Sequence, residues 1–184
     1  MQKYSTFIFI IVFVSLISCG ESQKDSKEPI SPPNEWEKID RDEFSIQYPD
    51  SFRFEKRPNM NVEFIFFSKL NSSDDTFSEN INLITENLSG KDIDLDKYVQ
   101  ISEKQISTLV TDGKLISSER LERNDKEFHK IIYTGKQGIY DLKWHLLLWV
   151  IDEKAYILTF TSEKDQYNNY VKIAEKIMKT FKLK

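Results

Sequence analysis

Apolar residues fall into three regimes along the chain, and each predicts a different kind of structure. Phe7 to Ile17 is an apolar run interrupted only by Ser15. From Gly20 to Pro33 the composition switches to Ser, Lys, Glu, Asp and Pro, with no apolar stripe on which a core could form. From Trp36 onward the apolar positions acquire regular periods. Phe44 to Tyr48 alternates at period two and stops at Pro49-Asp50, which predicts a strand with one buried face. Val62 to Leu70 is apolar on both parities, as expected of a strand covered on both sides. The polar stretch Asn71 to Thr76 reads as a loop, and Asn80 to Leu88 as a third strand ending near Ser89-Gly90.

The period then lengthens. Leu95, Tyr98, Val99, Ser102, Ile106, Leu109 and Val110 share one helical face, with Asp94 placed to cap the start and Asp112-Gly113 to supply the stop. Four extended segments follow, Leu115 to Glu122, Phe128 to Thr134, Tyr140 to Ile151 and Ala155 to Thr161. They are separated by Asn124-Asp125, Gly135 to Gly138 and Asp152 to Lys154, each short enough for a hairpin, so an antiparallel meander is predicted. A last helix carries Tyr167, Tyr170, Val171, Ala174, Ile177, Met178 and Phe181 on one face, with Lys172, Lys176, Lys179 and Lys182 elsewhere on its surface. Core packing or a ligand-binding line of aromatics both fit that stripe. The elements together predict an α+β fold, a largely antiparallel sheet of about six to seven strands flanked by helices in a layered sandwich.

Length and charge narrow this further. The 184 residues, 39% hydrophobic and 13% aromatic, suffice for one core but not for two ordinary domains once the N-terminus is set aside. A net charge of -4, with 26 basic and 30 acidic residues interspersed, offers no broad positive field for a polyanion, so nucleic acid is not an expected partner. Cys19 is the only cysteine. A disulfide within the domain, a cysteine-based zinc site and a thiol nucleophile are excluded by counting.

The position of Cys19 explains it. Lys3 and the α-amine form a short positive region ahead of the Phe7 to Ile17 run, which is well short of the ~20 residues that cross a bilayer core as a helix. The run ends in Leu16-Ile17-Ser18-Cys19, which resembles the bacterial lipobox. The resemblance implies a lipoprotein signal peptide at 1–18, cleavage between Ser18 and Cys19, and acyl chains on Cys19; two or three chains would anchor the protein stably in a membrane of the cell envelope, at the periplasmic face or the cell surface. Residues 19–35 then read as the lipidated cysteine and a flexible tether, stiffened by Pro29, Pro32 and Pro33, and 36–184 as the folded domain. Gln23-Lys24-Asp25 reads as solvated linker or as a surface-sorting signal.

Several fingerprints lie within the domain: Phe44 to Pro49, Asn82 to Glu86, Tyr156-Ile157-Leu158-Thr159-Phe160 and Met178-Lys179-Thr180-Phe181. In this element order the segment from Trp36 to Lys184 resembles the PsbP-like superfamily, which includes DcrB-like bacterial lipoproteins. The resemblance implies a binding or assembly protein with no active site to transfer.

The sequence carries no catalytic or cofactor motif. His129 and His145 are the only histidines, each in a predicted strand, and two strands could still bring them together. No G-x-S-x-G elbow, P-loop or dinucleotide pattern is present. Glu119 with Glu122 and Asp94 with Asp96 are carboxylate pairs that read as surface charge or as acid and base. Trp144 and Trp149 lie on opposite parities of one strand, so they should face opposite layers, as core or, if exposed, as a partner anchor. No catalytic, cofactor-binding or metal-binding residue is expected. The expected function is a non-enzymatic, membrane-anchored interaction or assembly module with an envelope protein as partner; the alternative is a lipoprotein that holds a small molecule or lipid between sheet and helices.

Overall fold

A computed structural model describes residues 36–57, 61–73 and 75–184. The strands are β1 (Glu37–Asp40), β2 (Phe44–Tyr48), β3 (Phe52–Arg57), β4 (Val62–Ser68), β5 (Asn80–Asn87), β6 (Thr111–Arg123), β7 (Lys126–Gln137), β8 (Tyr140–Ile151), β9 (Lys154–Glu163) and β10 (Lys182–Leu183). Helix α1 (Leu95–Leu109) lies between β5 and β6, and α2 (Tyr167–Lys179) between β9 and β10. A seven-stranded antiparallel sheet has the order β3-β4-β5-β9-β8-β7-β6, and a separate three-stranded sheet the order β1-β2-β10. This is an α+β sandwich.

The order follows from one crossing. After β5 the chain runs through α1 to the far edge, where β6 begins, and the hairpins β6-β7-β8-β9 return until β9 pairs with β5. Strand β8 lies inside the sheet, so both of its faces must be apolar. Trp144, Leu146 and Leu148 pack with Leu95, Tyr98, Val99 and Ile106 of α1. Leu147 and Trp149 pack on the other face with Ala174, Ile177 and Met178 of α2 and with Phe44, Ile46 and Tyr48 of the small sheet. The opposite facing of the two tryptophans is as their spacing predicts.

Local chemistry explains the ends of α1. The Asp94 Oδ1 accepts a hydrogen bond from the Lys97 amide at 2.8 Å, occupying a donor that the first turn leaves open. At the other end the helix stops at Leu109, and Val110 is already extended. Gly113 is therefore not a helix cap. It lies within β6, where a Cβ would sit 2.1 Å from the Ile106 carbonyl oxygen, so only glycine allows the strand to leave the helix so closely. Gly135 is likewise a strand residue of β7 and not part of a turn; a Cβ there would come within 2.4 Å of Val110 Cγ1.

Three strands, β1, β3 and β10, lie outside the elements expected from periodicity. Each is short or charged: Glu37-Lys38-Ile39-Asp40, Phe52 to Arg57, and the pair Lys182-Leu183. The last helix also ends earlier than its stripe, at Lys179, with Phe181 packing beyond it against Phe44 and Trp149.

Candidate functional site

Ser18, Cys19 and residues 20–35, expected to form a tether, lie outside the described residues. Within the domain, the groups that the sequence singled out are dispersed. His129 belongs to the α1 side of the sheet and His145 to the α2 side, so the two strands do not bring them together. His145 is 4% exposed; its Nδ1 lies 3.5 Å from the Tyr167 hydroxyl, the far end of hydrogen-bonding range. Burial, aided by Lys130 and Lys143, lowers its pKa to about 4, so it is a neutral core residue near neutral pH. The His129 Nε2 is 2.6 Å from the Ser118 hydroxyl, while its Nδ1 is buried without a hydrogen-bond partner. Burial first, and Arg120 second, lower its pKa as well.

The carboxylates are committed to structure. Asp94 caps α1, Asp96 pairs with Arg120, and Glu119 pairs with Lys130. Glu119 and Glu122 fall on opposite faces of β6, because the strand register is regular between them. Both tryptophans of β8 are core residues, Trp149 between Phe128 and Phe181 and Trp144 on Tyr133. Other aromatics stack on one another, as in Tyr48 on Phe66 and Phe66 on Phe64 with ring centroids 4.3 and 4.6 Å apart, and of the last-helix stripe Tyr167 lies against Phe160 and Phe181 against Trp149. Among the described residues, no three His, Cys, Asp or Glu side chains converge on a metal position, and no helix is long and apolar enough to cross a membrane.

Two features escaped the sequence reading. Glu79 is 1% exposed, beside the Ser68 hydroxyl at 3.2 Å and the Ser162 hydroxyl at 3.4 Å, and burial raises its pKa. Its burial depends on residues from β4 and β9 that meet only in the fold. The second is the longer of the two edge strands of the large sheet, β6, opposite the six-residue edge strand β3. Strand β6 runs for 13 residues with β7 on one side and no strand on the other. Leu115 and Ile116 on it are 46% and 54% exposed, and Leu109, at the adjoining end of α1, is 59% exposed. Register shifts between Thr111 and Lys114 and between Leu115 and Ser117 break its first half, while Ser117 to Arg123 is regular. An exposed edge of this length displays unpaired backbone donors and acceptors beside apolar side chains, which suits it to receive an extended segment.

No family model matches the chain, and no curated protein matches it in sequence. Its similarity to solved structures is extensive. The cyanobacterial PsbP (CyanoP) of Synechocystis sp. PCC 6803 is 13% identical with a TM-score of 0.62, over 92% of this chain and 99% of that one. LpqN of Mycobacterium tuberculosis, described as involved in cell envelope biogenesis, is 12% identical with a TM-score of 0.63, over 82% and 92%. PA94 of Pseudomonas aeruginosa, a protein of unknown function, is 14% identical with a TM-score of 0.55, over 80% and 96%. The chain has the PsbP-like fold, as the order of its elements implied.

Proposed function

We propose that the protein is a non-catalytic lipoprotein of the cell envelope: exported, cut between Ser18 and Cys19, anchored through acyl chains on Cys19, and docking an envelope protein along strand β6. The observation that carries the docking is the exposed edge of β6, regular from Ser117 to Arg123, with Leu115 and Ile116 uncovered directly ahead of that stretch. In this mode an extended partner segment adds a strand beside Ser117 to Arg123, with main-chain hydrogen bonds supplying affinity and side-chain contacts supplying choice. The bulges ahead of Ser117 bend the edge and restrict such pairing to its second half. The lipobox supports the setting, as does the role of LpqN, a protein of the same fold, in cell envelope biogenesis.

The test is crosslinking mass spectrometry on the lipoprotein in its own membrane, alongside a Cys19→Ala control. A reproducible partner is expected, with crosslinks close to β6, lost in the control and weakened by Leu115→Lys with Ile116→Lys. A gently isolated lipoprotein that runs as a monomer and crosslinks to no specific protein overturns the proposal.

A further inference from the structure

The chain is acidic overall, yet its last eighteen residues, from Tyr167, carry five lysines and one carboxylate, Glu175. Lys172, Lys176 and Lys179 are all exposed on α2. At about 100° per residue they fall within about 60° of arc, so they form one line along the helix. Tyr167, Ala174, Ile177 and Met178 are buried on the side facing the core. Lys182, exposed on β10, follows just beyond the end of the helix.

Several lysines are answered by carboxylates, Lys91 by Glu86, Lys130 by Glu119, Lys136 by Asp112, Lys154 by Glu43 and, within this last segment, Lys184 by Asp40. Lys172, Lys176, Lys179 and Lys182 have no such partner among the described residues. Two lysines in the last turn offset the negative end of the helix dipole, but that explains neither Lys172 nor the continuation to Lys182.

The line also lies close to where the chain enters the domain. Glu37 pairs with Tyr48, and the neighbouring Gln47 amide donates to the Thr180 hydroxyl at 2.8 Å, directly after α2. Residues 19–35 span at most about 60 Å in any conformation, so a lipid on Cys19 keeps this face within reach of the bilayer.

We infer that the lysine line of α2 and β10 is a docking surface for the anionic phospholipid headgroups of the membrane that holds the anchor; this rests on the lipid-anchor reading above. A headgroup layer is a plane of diffuse negative charge. Lysines, as mobile point charges on long stems, suit it without a shaped pocket. The acidic remainder of the domain is repelled by the same plane, so one orientation is selected. With α2 turned to the bilayer, a lipid chain and a basic surface act as two signals on one protein.

The experiment uses the lipidated mature protein in vesicles of phosphatidylcholine alone, or of three parts phosphatidylcholine to one part phosphatidylglycerol. Each lysine is probed by an amine-acetylating reagent and mass spectrometry, with exposed Lys104 of α1 as the internal reference. Lys172, Lys176, Lys179 and Lys182 should be protected only on the anionic vesicles, with protection lost as salt rises. Lys176→Gln should lower the docked-to-free ratio about five-fold. Retention on both vesicles with equal labelling overturns the docking and leaves the anchor standing. Release from both overturns the anchor and the docking together. Protection seen in native membranes but absent on anionic vesicles assigns the line to a protein partner and overturns the lipid proposal.

Discussion

The two faces of the seven-stranded sheet are covered by different means. On one side the single helix α1 lies over a cluster whose fourteen buried members include four aromatics, Phe77, Tyr98, Tyr133 and Trp144. On the other side α2 and the small sheet share a cluster of twenty buried members, eleven of them aromatic. On the α1 side one long amphipathic helix seals most of the sheet face with largely aliphatic packing, and Phe77 of the β4–β5 connection adds a ring against Tyr140. A face closed by α2, two short strands and a two-residue strand is sealed by rings that reach across the joints, as Phe181 does between Phe44 and Trp149.

The largest test of this contrast is truncation at β8, which serves both faces. Trp149→Ala should cost about 4 kcal/mol and Trp144→Ala about 3 kcal/mol, read from urea midpoints, because Trp149 contacts two rings and Trp144 one. Equal losses would break the proposed difference between the faces.

Acid should attack the α2 face next. His145 has a folded pKa of about 4 against an unfolded value near 6.5, so between those pH values the unfolded chain binds more protons. Stability is complete above about pH 6.5 and falls as pH drops, by about 3 kcal/mol once pH is below 4. Urea midpoints across this range should lose that slope in His145→Gln. A slope unchanged by the substitution would place the acid sensitivity elsewhere.

On the α1 face the sharpest constraint is steric. Gly113→Ala brings a Cβ against the Ile106 carbonyl and should cost about 2 kcal/mol, with thermal unfolding as the measure. Smallest is the helix cap: Asp94→Ala should cost about 1 kcal/mol, and Asp94→Asn much less, because either side chain can accept from the Lys97 amide.

These differences also explain what was legible in the sequence. Helix α1 and the two-sided burial of β8 were readable because their apolar patterns extend over ten residues or more, and the meander because its segments of seven to twelve residues are joined by connections short enough for hairpins. Strands β1, β3 and β10 were not. Glu37 to Asp40 has a single buried residue, and Lys182-Leu183 is two residues long; each is a strand only because β2 lies beside it. Two glycines differ from the stop and the turn that local sequence predicts, for a related reason. Gly113 and Gly135 answer to Ile106, Val110 and Thr111, neighbours that periodicity does not report.

The same division applies to function. Leu16 to Cys19, the tether composition and the absence of catalytic motifs are properties of local sequence, and the anchoring proposal needs nothing else. Only the tertiary structure decided that His129 and His145 occupy opposite layers, that Glu79 is buried between two serines, and that β6 is left at an edge. It also set the lysine line of α2 beside the strand where the chain enters the domain. Period and composition record what each segment does with its own backbone and the core, whereas an edge, an orphaned charge or a shared surface is defined by which distant segment lies next to it.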